Sequence, residues 1–147
     1  MVLWGYKTVA ALDVWSIEHF IMGINLGALS TFLVKKWNKK EEIPESLQIK
    51  FSFILVLMMA FFWEVLEHYI EVGLFGPVLE YWFQGVEHWS NRIISDNLMV
   101  MLGWFVYQKR NKMVWFGRIF SIIWLFFHIV IFPHSMYLHT LMGHNAG

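Results

Sequence analysis

An all-α, polytopic membrane protein with a four-transmembrane-helix bundle is the fold class predicted by three features of these 147 residues. Hydrophobic residues make up 58% of the chain and aromatic residues 19%, which is membrane composition rather than that of a soluble globule. Four apolar stretches come near or exceed the ~20 residues needed to cross a hydrocarbon core. Short charged turns separate them, and those turns sort by sign.

The first span is expected over residues 8–34, ended by Lys35 and Lys36. The second covers 44–72: Pro44 and Glu45 suit a first helical turn, and Gly73 is a stop. Residues 74–85 are bracketed by glycines and rich in Phe, Tyr and Trp, as an interfacial segment at headgroup level would be. The third span covers 86–107, ahead of Lys109 and Arg110, and the fourth covers 113–132, closed by Pro133. Beyond it, 134–142 suits a short amphipathic turn on the surface, and the small polar tail 143–147 should fray. Asp13 and Glu18 interrupt the first apolar run, so the N-terminus does not read as a cleavable signal peptide. The whole chain, 1–147, reads as a single integral membrane domain.

Charge sets the orientation. Lys35, Lys36, Lys39, Lys40, Lys50, Lys109, Arg110, Lys112 and Arg118 share one end of the spans with only Glu41, Glu42 and Glu45. The opposite end holds Asp13, Glu18, Glu64, Glu67, Glu71, Glu80, Glu87 and Asp96 against Lys7 and Arg92. Positive loops stay cytoplasmic, so both termini and the acid-rich end face outward. All seven histidines fall in that same half. The basic loops are short and carry no recognition module, which excludes nucleic acid as a partner. Cysteine is absent, so disulfides, thiolate nucleophiles and sulfur-rich metal sites are excluded as well.

Ionisable groups inside a membrane are costly and mark functional sites. Glu64, Glu67, His68 and Glu71 stand at i, i+3, i+4 and i+7, on one face of the second helix. His88, Arg92 and Asp96 follow at four-residue steps on the third, where Arg92 and Asp96 can pair. The first helix carries Asp13, Glu18 and His19, then Gly23-x-x-x-Gly27 on the His19 face, a spacing that lets another helix approach closely. Glu18 points elsewhere. His128 sits inside an apolar run and needs a partner there, whereas His134, His139 and His144 read as surface residues. The metal-ligand candidates are therefore His19, Glu64, His68, His88 and His128, with zinc, iron, manganese or copper as the divalent ions such donors take. The paired Glu-x-x-His motif of soluble carboxylate bundles is missing, and no catalytic residue is assigned.

Three blocks carry a family resemblance. Asp13 with His19-Phe20 and Gly23, then Trp63-Glu64-Val65-Leu66-Glu67, then Asn91-Arg92-x-x-Ser95-Asp96 with Gly103 resemble motifs of the VanZ-like membrane proteins and a related uncharacterised four-span bacterial family. The resemblance covers the first three helices in short stretches. It implies a four-helix membrane fold and a polar site at Asp13, His19, Glu64, Glu67, Arg92 and Asp96; VanZ itself is linked to glycopeptide resistance.

Three functions compete. The first is an outer-half acid and histidine site for a polar-headed lipid, a lipid-linked substrate or a divalent metal, with proton transfer or a metal-activated water as its chemistry. The second is a structural or metal-binding accessory subunit of a larger membrane complex. A proton or cation pathway comes last, since residues 51–62 offer no polar ladder to complete a route.

Overall fold

The computed structural model describes residues 2–41, 43–132 and 134–143. Of the tail expected to fray, residues 144–147, His144 among them, lie outside these, as does Pro133. Two three-residue strands, β1 (Val2–Trp4) and β2 (Ala10–Leu12), pair in parallel before the first helix. The helices are α1 (Val14–Glu41), α2 (Glu45–Glu71), α3 (Pro77–Phe83), α4 (Asn97–Lys109), α5 (Met113–Phe126) and α6 (Tyr137–Leu141). A π-helical turn, Asn91–Asp96, leads directly into α4, and a second, Phe127–Ile131, continues α5. Among the described residues, three helical stretches are long and apolar enough to cross a membrane: Val14–Asn38, Glu45–Glu71 and Met113–Ile131. A further helical stretch runs unbroken over residues 89–109.

The expected start of the first span at residue 8 is corrected by the capping chemistry of Asp13. Its Oδ1 accepts from the backbone N–H groups of Trp15 (2.7 Å) and Ser16 (3.1 Å), while its own N–H donates to Ser16 Oγ at 3.2 Å. This reciprocal arrangement is a capping box that starts a helix at Val14. Residues 2–12 turn back instead and lie against the segment that follows α3. Lys7 O accepts from His88 N at 2.9 Å, and the Tyr6 hydroxyl donates to Gln84 Oε1 at 3.2 Å. Burial holds the Tyr6 phenol above its ordinary value, so it remains a donor.

α1 is the common neighbour onto which α2, α4 and α5 pack, most extensively α4. Gly23 and Gly103 make that contact possible. A Cβ on Gly23 would stand 2.0 Å from Val100 O, and one on Gly103 would stand 2.0 Å from Phe20 O. The two backbones touch, as the glycine spacing of α1 predicted. Gly27 faces the Tyr107 ring. Val56, Ala60, Val100 and Trp104 form the apolar core, with Met22, Leu26, Met59 and Met101 around it.

The buried face of α2 reads Ser52, Val56, Ala60, Glu64, Glu67, Glu71. Moving along it, the core changes from apolar to acidic. At the acidic end α6 is docked rather than laid on the surface. Ser135 N donates to Trp82 O (2.8 Å), Trp15 Nε1 donates to Ser135 O (3.2 Å), and Val14 N donates to His139 Nε2 (3.2 Å). His139 is fully buried, so the expectation of a surface residue fails there.

Candidate functional site

Among the described residues, six carboxylates are buried at the acidic end: Asp13, Glu64, Glu67, Glu71, Glu87 and Asp96. They come from four places in the sequence. The α1 cap supplies Asp13, the α2 stripe supplies three glutamates, Glu87 lies just before the 89–109 helix, and Asp96 closes the π turn. Lys7, His19 and Arg92 are the basic groups among them. The wide turn leaves carbonyls that need donors, and Asn97 Nδ2 supplies them to Arg92 O (2.9 Å) and Ile93 O (3.1 Å). Such π turns recur at functional sites.

One part of this cluster is closed. Glu71 accepts from Lys7 Nζ at 2.5 Å, from Arg92 Nη2, and from Glu87 N at 3.0 Å. Lys7 is only 2% exposed, and its ammonium also lies over the Phe83 ring. The expected partnership of Arg92 with Asp96 does not form. Arg92 reaches α2 instead, with His68 Nδ1 3.3 Å from Nη1, and Asp96 turns toward α1. There Asp96 Oδ1 accepts from Ser16 Oγ at 3.1 Å and lies 3.5 Å from His19 Nδ1.

The other part is open. His19 Nδ1 lies 2.9 Å from Trp15 O. A carbonyl only accepts, so this nitrogen carries a hydrogen, and Nε2 is the ring atom turned toward Glu64 Oε1 at 3.2 Å. Both oxygens of Glu64, Oε2 of Glu87 and Oδ2 of Asp96 are buried without a hydrogen-bond donor. Among the described residues, three groups bring ligand atoms within 4.8 Å of one another: His19, Glu64 and Glu67; Glu64, Glu87 and Asp96; Glu67, Glu71 and Glu87. His19, Glu64, Glu67 and Asp96 thus converge, and Glu87 and Glu71 join them.

His68, His88 and His128 stand outside these groups. His88 Nδ1 engages Ser90. His128 is fully buried and gives its Nδ1 hydrogen to Trp124 O at 2.9 Å, within an aromatic cage of Trp15, Trp124 and Tyr137. Glu18 turns toward α5, where Ser121 Oγ donates to it at 2.8 Å.

Beside the cluster is a cavity of about 340 Å³. Its walls are mainly apolar, including Trp15, Met22, Trp63, Trp82, Leu125 and Ile129, and His19 and Glu67 reach it from the acidic site. No family model matches the chain, nor does any curated protein or solved structure.

Proposed function

We propose that this chain is a four-span integral membrane protein whose outer half binds a divalent metal through His19, Glu64 and Glu67. Residues 89–109 serve as the third span, α3 lies at the headgroup level, and both termini are outside. The distribution of cations supports the sidedness. Since the chain contains no cysteine, single introduced cysteines report it directly. Asn111→Cys is expected to label only from the cytoplasmic face and Tyr81→Cys only from outside. Labelling of both from one side sinks the topology.

A single observation carries the metal reading: both Glu64 oxygens are buried without a donor, and His19 Nε2 faces one of them at 3.2 Å. With the ring neutral, two electron-pair donors confront each other, and a cation between them relieves the repulsion. The His19 Nδ1 hydrogen held by Trp15 O is the outer support that metal-binding histidines use. Nitrogen and oxygen donors without sulfur fit zinc, iron, manganese or copper. Elemental analysis of the purified protein is expected to find such a metal, and Glu64→Gln to lose most of it while the elution profile in detergent stays unchanged. If a proton on Nε2 does the same work, the wild-type protein holds no stoichiometric metal and this reading fails.

The cavity favours a second reading, a polar-headed lipid. Its apolar body would lie between α1 and α5 with the head at His19 and Glu67. Mass spectrometry of co-purified lipid, lowered by Met22→Trp, tests it. The resemblance to VanZ-like proteins belongs to the same proposal, since the residues that carry it include His19, Glu64, Glu67 and Asp96.

A further inference from the structure

We infer that the acidic end holds two divalent cations bridged by Glu64, the second bound by Glu64, Glu87 and Asp96; this rests on the metal reading above. Each proposed terminal ligand of the second site has one oxygen fastened and the other free. Asn91 Nδ2 donates to Glu87 Oε1 at 2.8 Å, leaving Oε2 without a donor. Ser16 Oγ donates to Asp96 Oδ1 at 3.1 Å, leaving Oδ2 without one. Outer hydrogen bonds of this kind orient metal-binding carboxylates. Glu64 differs, because with His19 neutral neither of its oxygens has a donor, as suits a bridge with one oxygen for each ion. It is also the one residue common to the two ligand groups.

Charge gives the same count. Six buried carboxylates face Lys7 and Arg92, so with His19 neutral and every carboxylate ionised four negative charges stand in a region where uncompensated charge is costly. Two divalent cations cancel them, whereas one leaves half. The third group of acids is not a further site, because Glu71 already holds Lys7 and Arg92. A cation there would meet two others. Arg92 Nη2 is 3.7 Å from Glu87 Oε2, beyond hydrogen-bond range, and does not occupy that oxygen.

The test uses Mn²⁺ on the full chain in detergent, stripped with chelator and reloaded. Two Mn²⁺ per chain are expected, with the paramagnetic resonance spectrum of an exchange-coupled pair, as metals a few ångströms apart give (about 3.5–4 Å in two-metal sites). Asp96→Asn is expected to halve the stoichiometry and leave the spectrum of an isolated ion. One Mn²⁺ per wild-type chain, or a coupled pair that survives in Asp96→Asn, overturns the second site and leaves the single-metal reading standing. No stoichiometric Mn²⁺ in the wild type, with no other divalent metal in the protein as purified, overturns both. The wild-type stoichiometry decides even if the variant fails to fold.

Discussion

Lys7→Met is expected to destabilise the protein by about 3–5 kcal/mol, the cost of removing one partner from a buried ion pair. Lys7 Nζ sits 2.5 Å from Glu71 Oε1 at 2% exposure, so no solvent is at hand to replace it. The methionine fills similar volume and deletes the charge, which isolates the electrostatic contribution. Thermal unfolding in detergent reads the loss. Adding Glu71→Gln should restore part of it, because the double variant no longer buries that carboxylate with a partner missing. A single variant within 1 kcal/mol of wild type, or no recovery in the double, would show that the pair is not a structural tie.

The second large effect belongs to the backbone contact between α1 and α4. Gly23→Ala and Gly103→Ala are each expected to cost at least the ~3 kcal/mol at the upper end of overpacking. Their added methyl groups would meet carbonyl oxygens at 2.0 Å, and a backbone within a helix cannot swing aside as a side chain can. Gly27→Ala is the control. Its methyl would meet the Tyr107 side chain at 3.0–3.1 Å, where a shift of a few tenths of an ångström suffices. Equal loss of folded protein in all three variants, measured by monodisperse elution, would contradict this ranking.

Much of the acidic site could be read from helical geometry, and the exceptions have physical causes. At about 100° per residue, Glu64, Glu67 and Glu71 fall within about 60° of arc, and that arc continues the stripe from Val56 and Ala60. His68 lies some 40° beyond the edge of this arc, so it meets Arg92 at the rim and not the carboxylates. Spacing alone left this open, since His68 is i+4 from Glu64 and looks equally in line. Arg92 and Asp96 were misjudged because the pairing rule assumes an α-helix. Their segment is a π turn, and the strongest opposite charge near Arg92 comes from another helix. Glu87 was visible as an acid, but its place in the site depends on Asn91 and Arg92 packing beside it. Lys7 was counted in the charge balance of the outer end but not placed in the site. Nothing local says that an N-terminal lysine will fold back into the bundle, since the attraction that draws it in comes from Glu71, 64 residues away. The Asp13 cap was legible in principle from Asp-x-x-Ser, a signal that hydrophobic run length obscured.

The folded-back N-terminal loop also imposes an order of events on biogenesis. Lys7 leaves the ribosome ahead of its anchor Glu71 and of Arg92, which are made 64 and 85 residues later. At a synthesis rate of about 5–20 residues per second, the last of these follows Lys7 by roughly 4–17 s. Until Glu71 is made Lys7 has no carboxylate to grip, and until Arg92 is made Glu71 lacks its second cation. Closure of the acidic end is therefore a late step of maturation. A chain truncated before Glu71 is expected to leave Lys7 open to protease, while the 147-residue chain shields it.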